Sequence, residues 1–285
     1  MKNNHVKKNI GIMRISITVL FVIYSVLVLF PFLWTFLSSL KGQMEYITTN
    51  KFALPKDWLF SNYIKAFQVL SAGGKNMFFM IFNSAWFSII PSLLSILTSA
   101  MMSYVICRYK FVGRNAIYTL ALIVTIIPII GSLPSTYRLY TQLGFYDSPL
   151  IILASFTAFG TEFFILYASF KSISWSLAEA AFMDGAGHLK VFFIIMFPQV
   201  IAPMSAVGVT EIIARWNDYL TPLVFLKSFP TLSSGLYIYQ QESLRQLDYP
   251  VLFSGIMICM LPVVVLFFAF QEKLMNLSLG GGIKE

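Results

Sequence analysis

The chain has 285 residues, 58% of them hydrophobic and 11% charged. An ordinary soluble domain carries about a quarter charged residues, so this composition excludes a water-soluble globule. The net charge of +8 comes without any RNA- or DNA-reading pattern. Basic side chains beside a bilayer meet anionic headgroups, so membrane lipid is the expected partner and nucleic acid is not.

A helix of about 20 apolar residues crosses a hydrocarbon core of about 30 Å. The N-tail, 1–14, carries Lys2, Lys7, Lys8 and Arg14 ahead of the first apolar run, 15–40. That run is too long for a signal-peptide core and has no small-x-small cleavage site, so it reads as a retained first transmembrane helix. Next comes a polar stretch, 41–76, with turn signals at Leu54-Pro55-Lys56-Asp57 and Gly73-Gly74, placed outside the membrane. Its Trp58, Tyr63 and Phe67 mark a short amphipathic helix lying near the membrane surface.

Five further runs, 77–107, 115–137, 148–170 (interrupted by Glu162), 191–210 and 251–270, lie in a core spanning 77–271, followed by a C-tail, 272–285. Outer-membrane strands would alternate over segments of about ten residues, and no such segments occur. The predicted fold class is therefore an all-α membrane protein of six transmembrane helices. Cys107 and Cys259 fall in separate spans, with neither metal-ligand spacing nor a disulfide framework, and read as packing residues.

An inside N-terminus puts 108–114, 171–190 and 272–285 in the cytoplasm with both termini. These segments and the N-tail hold eleven Lys and Arg against eight outside, five of the eight in one long external segment. Pro198 and Pro203 would free the carbonyls of Ile194 and Gln199, which predicts a kinked fifth span.

The most informative segment is 176–203. Ser176 and Glu179 fit a capping box, Ala180, Ala181, Phe182 and Met183 propagate a short helix, and Asp184-Gly185 supplies its stop. A second helix starts near Gly187 and His188. The product is a helix-turn-helix knob whose alanine-rich side, with Phe182, would dock into a groove on a partner.

At these residues the chain resembles the permeases of binding-protein-dependent ABC importers. Their hallmark is E-A-A, three variable positions, G, about nine residues, then I-x-L-P. Here Glu179-Ala180-Ala181, Gly185 and Ile195-Met196-Phe197-Pro198 stand at those places, with Phe197 for the usual leucine. Two other departures are Ser174-Trp175, where the family usually has a proline, and Tyr167, where an arginine is common. The resemblance implies a MetI-like, type I importer permease fold in a bacterial cell membrane. It also implies that the loop 172–190, with Glu179, Ala180, Ala181, Phe182, Met183, Asp184, Gly185, Ala186 and Gly187 at its centre, is a coupling helix seated in a separate ATPase. The implied partners are two ATPase subunits, a second homologous permease, and an extracellular solute-binding lipoprotein or periplasmic protein.

Further residues are similar to the maltose-type, carbohydrate-uptake branch: Phe82-Asn83-Ser84, Ser103-Tyr104, Arg108-Tyr109, Gly113-Arg114, Leu143-Gly144, Trp216-Asn217-Asp218-Tyr219 and a glycine-rich tail. That likeness implies a sugar or oligosaccharide substrate and a tail contact with the ATPase through Gly281, Gly282 and Lys284. The chain has no Gly-x-x-x-x-Gly-Lys-Ser/Thr, so it is expected to hold no cofactor, with ATP and Mg²⁺ bound by the partner ATPase. Enzyme motifs are also missing, and His5 and His188 are the only histidines, so this is read as a transport subunit and not an enzyme. A permease for a non-sugar solute is an alternative. So is an ATPase-independent secondary transporter, which would normally show internal repeats with paired broken helices.

Glu162, Glu211, Arg215 and Asp218 lie in or beside spans and must face protein or water. Glu211 and Arg215, four apart, are placed for an ion pair. With Asn83, Tyr137, Trp216, Asn217 and Tyr219 they are the candidates for a substrate path. Tyr137, Tyr140, Tyr146, Trp216, Tyr219 and Tyr237 would stack on sugar faces near an outer mouth, or form an interfacial aromatic belt. So few charges favour a neutral sugar over phosphate, polyamine or metal cargo.

Overall fold

The computed structural model describes residues 2–127, 131–242 and 248–280. In chain order the helices are α1 (Lys2–Ser39), α2 (Gln43–Thr48) and α3 (Ser61–Val69), then a small hairpin of β1 (Ser71–Ala72) and β2 (Lys75–Asn76). After it come α4 (Met77–Arg108), α5 (Arg114–Ile126), α6 (Leu133–Gln142), α7 (Ile152–Ser155), α8 (Thr161–Ser172), α9 (Ser176–Met183) and α10 (His188–Lys190). The chain continues through a π-helical turn, Val191–Met196, into α11 (Phe197–Gln199), α12 (Ile201–Asn217), α13 (Leu220–Phe225), α14 (Leu232–Glu242) and α15 (Tyr249–Gly280).

Three helical stretches among the described residues are single, apolar and long enough to cross a bilayer: Met13–Ser39, Met77–Arg108 and Tyr249–Met275. At the other three places where hydropathy predicts a transmembrane helix, the helices are shorter or broken. In the 115–137 run, α5 has 13 residues and rises about 20 Å, too short to cross alone; Pro128 of that run lies outside the described residues. The 148–170 run is a 3₁₀ turn, Pro149–Ile151, then α7, a non-helical link at 156–160, and α8. The fifth run is indeed bent, by 77°, with the break at Val200 between α11 and α12. Its two prolines flank that break, where the lost N–H donors leave the ladder weakest.

The chain divides into two compact units, Met1–Leu70 with Tyr239–Ile258, and Ser71–Ile238 with Cys259–Glu285. In the first, the end of α1 is tied to the segment after it by buried polar contacts. Lys41 is fully buried and donates to the Lys51 carbonyl at 3.0 Å, and Asn62 Nδ2 donates to the carbonyls of Ser39 and Lys41 at 2.8 Å each. Aromatic rings close the unit, Trp34 against Phe253 at 5.4 Å and Tyr46 against Tyr249 at 5.3 Å. The helix expected around Tyr63 and Phe67 is α3, which buries Asn62 and Ala66, four residues apart on one face.

In the second unit α4 is the central helix. Asn76 caps it, its side chain accepting from the Phe79 N–H at 3.3 Å. Ser84, Ser88, Ser92, Ser95, Ser99 and Ser103 recur every three or four residues and are all buried, a stripe of small side chains running along one face. Small residues let neighbouring backbones approach closely, and α8 and α12 pack on α4.

The hairpin turns through Gly73 and Gly74, both left-handed at φ +54° and +71°. A Cβ on Gly73 would lie 2.8 Å from the Lys227 carbonyl oxygen, while one on Gly74 meets nothing within 4 Å. Gly73→Val therefore combines left-handed strain with a backbone clash and is expected to destabilise by about 2–4 kcal/mol. Gly74→Ala, with strain alone, should cost about 1 kcal/mol. Thermal midpoints of the purified protein in detergent should fall in that order.

Candidate functional site

The loop around α9 begins differently from the sequence expectation. Ser176 is already the first helical residue, and Trp175 holds the cap position in a helical conformation, φ −71° and ψ −21°, with no side-chain cap. The capping box is not formed; the Ser176 hydroxyl instead lies 2.7 Å from that of Ser174. The cause is tertiary: the Trp175 ring packs on Phe182 at 6.1 Å, on Tyr109 at 6.4 Å, and under the Arg108 guanidinium at 5.5 Å.

The stop is as expected. Gly185 is left-handed at φ +79°. Its N–H donates to the Phe182 carbonyl at 3.0 Å, and the Ala186 N–H donates to the Ala181 carbonyl at 2.9 Å. These are the two bonds of a Schellman motif, which close the end of α9. Gly187 then extends the chain and α10 begins at His188.

Helical spacing assigns the faces of α9. Ala178 and Ala181 are buried and Phe182 is half-buried, in a cluster with Tyr104 of α4, Leu166 and Phe170 of α8, and Phe192. Arg108 donates to the carbonyls of Phe170 and Ile173, closing the end of α8. The Tyr109 hydroxyl lies 2.8 Å from His188 Nδ1, so the end of α4 grips both sides of the loop. Leu177, Glu179, Ala180, Met183 and Asp184 are exposed, Met183 by 87%. The expected alanine-rich docking side is corrected accordingly: residues 178, 181 and 182 share the face that holds α9 to the bundle, and Glu179 with Ala180 and Met183 faces away. Glu179 forms no ion pair among the described residues.

The second region is a cavity of about 440 Å³ lined by residues of α8 and α12, among them Thr161, Glu162, Thr210, Glu211 and Ala214, with Leu274 of α15. Glu162, Glu211 and Arg215 come together here. Arg215 Nη2 donates to Glu211 Oε1 at 3.0 Å and to the Ser155 carbonyl at 2.6 Å. The latter is the last residue of α7, so Arg215 holds the broken end of that helix.

The non-helical link at 156–160 is otherwise served by the serine stripe of α4. The Thr157 N–H donates to Ser95 Oγ at 3.2 Å, and Ser99 Oγ donates to the carbonyls of Thr157 and Ala158 at 3.3 and 3.2 Å. Unwound backbone at membrane depth requires such partners. Sequence reading missed these serines, though their three-and-four spacing was a visible signal.

The remaining candidates lie elsewhere in the unit and are engaged internally. Asn83 is buried, its amide donating to the Pro230 carbonyl at 3.0 Å and accepting from Trp86 Nε1 at 3.1 Å. The Trp216 indole donates to the Cys259 carbonyl at 2.9 Å. Asn217 folds back to the Ile213 carbonyl at 3.0 Å, and Asp218 accepts from the Thr221 N–H at 3.0 Å at the start of α13. Tyr219 stacks on Tyr237 at 4.9 Å, and Tyr137 meets Tyr146 edge-on at 5.2 Å. Asp147, which sequence reading passed over, accepts from the Ser228 N–H and hydroxyl at 2.7 and 2.6 Å. Gly281, Gly282 and Lys284 lie outside the described residues.

A family model described as the binding-protein-dependent transport system inner membrane component matches residues 95–275. The chain belongs to this family. It is a multi-pass permease subunit, a transport component and not an enzyme. Among its relatives, the diacetylchitobiose uptake system permease protein NgcG of Streptomyces coelicolor is 30% identical, covering 90% of this chain and 84% of its own. The arabinooligosaccharides transport system permease protein AraQ of Bacillus subtilis is 29% identical, covering 96% and 97%. Among solved structures, one chain of a bacterial ABC transporter that imports the acidic polysaccharide alginate superposes with a TM-score of 0.75. It covers 92% of the permease and 96% of its own chain at 23% identity, which shows the shared fold.

Proposed function

We propose that this permease forms half of the translocation path of an ATP-driven importer for a sugar or oligosaccharide, with a second, homologous permease forming the other half. Relatives named for diacetylchitobiose and arabinooligosaccharide uptake support the substrate class. In this reading the chain passes the membrane six times, the broken helices α7–α8 and α10–α12 each counting as one pass, as does the run containing α5. Both termini and α9 are cytoplasmic, in a bacterial cell membrane. ATP and Mg²⁺ are bound by two partner ATPase subunits, and a solute-binding protein delivers cargo from outside. The tail residues Gly281, Gly282 and Lys284 make a second contact with the ATPase. Glu162, Glu211 and Arg215 belong to the substrate path.

The observation that carries the coupling role is α9 itself. Its buried face, Ala178 and Ala181, fixes it to α4 and α8, and its exposed face presents Glu179, Met183 and Asp184. A rigid knob with an unpaired carboxylate transmits force and fits a cleft bearing positive charge. ATP-driven closure of the ATPase pair would push α9 and, through the cluster around Phe170 and Phe192, the helices that line the path.

Glu179→Lys tests this directly. The side chain is exposed and outside the packed cluster, so the thermal midpoint of the isolated subunit should not change. Uptake into proteoliposomes by the assembled transporter should fall at least about tenfold, the effect of some 1.4 kcal/mol at the interface. Parental uptake with the lysine in place would rule out docking through this face.

A further inference from the structure

The charge around the 440 Å³ cavity is unbalanced. Two carboxylates, Glu162 and Glu211, stand in its lining, whereas Arg215 does not line it. The guanidinium is turned to the Ser155 carbonyl and to Glu211, so it neutralises one carboxylate and leaves the other. Glu162 is that other group. It is 8% exposed, and its Oε1 has no hydrogen-bond donor. It sits in the first turn of α8. A buried carboxylate oxygen without a donor is a costly arrangement, and it is relieved when a hydroxyl or ammonium group enters beside it.

We infer that this cavity, apolar over most of its wall but carrying two carboxylates, is a subsite that admits hydroxyl-rich neutral or amino sugars and turns away uronates and sugar phosphates, with Glu162 as the residue that sets the sign. The inference rests on the reading of Glu162, Glu211 and Arg215 as part of the substrate path, and it adds what that path selects. Sugar hydroxyls donate to both carboxylates, and Thr161 and Thr210 add hydroxyl groups to the lining. An entering carboxylate or phosphate meets no lysine or arginine among the described lining residues, and it stands against the two carboxylates at low dielectric, where like charges repel strongly. A helix break held at the same place, 156–160, sets the α8 N-terminus and its carboxylate at the cavity wall.

The test uses the full transporter in membrane vesicles, with Ala214, a cavity-lining residue, changed to cysteine. Its modification by a cationic and an anionic methanethiosulfonate of similar size is timed, each rate divided by that with a free thiol in solution. The parent chain without the change gives the background from Cys107 and Cys259. The normalised rate should be at least about tenfold higher for the cation, and adding Glu162→Gln should bring the ratio close to one. Equal rates with Glu162 present would overturn the inference while leaving the path reading intact. A preference for the cation that survives Glu162→Gln would likewise remove Glu162 from the role. Protection of Ala214→Cys from both reagents on both sides of the membrane would place the cavity off the path and so strike the reading beneath it.

Discussion

Gly185→Val is expected to uncouple the transporter while leaving the membrane helices folded. Gly185 holds φ +79°, and a Cβ there would meet nothing within 4 Å, so any penalty comes from backbone strain alone. Left-handed backbone costs an L-residue about 1–2 kcal/mol, with a β-branched side chain at the upper end. At about 2 kcal/mol the population of the closed turn falls roughly thirtyfold against its alternatives. With it go the bonds from the Gly185 and Ala186 N–H groups that set the angle between α9 and α10. Uptake and substrate-stimulated ATPase should therefore drop together, by about tenfold or more, in complexes that still assemble. Gly185→Asn separates strain from bulk, because asparagine tolerates the left-handed region, and it should keep most of the activity. Parental coupling in the valine variant would show that the turn is not part of the transmission.

Removal of the Arg215 side chain is expected to produce the largest loss of stability. Arg215→Met leaves Glu211 without its cation and the Ser155 carbonyl without its 2.6 Å donor. Breaking a buried ion pair from one side costs about 3–5 kcal/mol. Here the two side chains retain 16% and 24% of their exposure, which places the pair toward the lower end. The orphaned carbonyl adds about 1–3 kcal/mol if no water reaches it. A fall of this size should appear as a lower thermal midpoint and a lower yield of assembled complex. Adding Glu211→Leu to Arg215→Met should restore part of the loss, since removing both charges is milder than stranding one. A double-mutant cycle measures the coupling, and strict additivity of the two changes would deny the ion pair any contribution to stability.

Local chemistry in the sequence determined a good deal. The low charge and recurrent apolar runs required a membrane protein, because no soluble packing hides that much apolar surface. Asp184-Gly185 determined the end of α9, since a left-handed turn depends on the residue itself. Glu211 and Arg215 were paired by their spacing on one helix. In each case the deciding interaction reaches no further than a helical turn.

Tertiary structure decided what depends on distant partners. The 148–170 run is apolar enough for a helix, yet it opens at 156–160, where Ser95 and Ser99 of α4 and Arg215 of α12 supply the donors and acceptors that an unwound chain needs. No window around Thr157 contains that information. The same holds for the start of α9, where the Trp175 ring, packed against Tyr109 and Arg108, displaced the serine cap. It holds for Asn83 and Trp216, whose polar atoms were taken up by the carbonyls of Pro230 and Cys259. Glu162 met Glu211 only because α8 and α12 pack on one serine-striped helix, and an encounter set by the closeness of backbones far apart in the chain is visible only once the helices are in place.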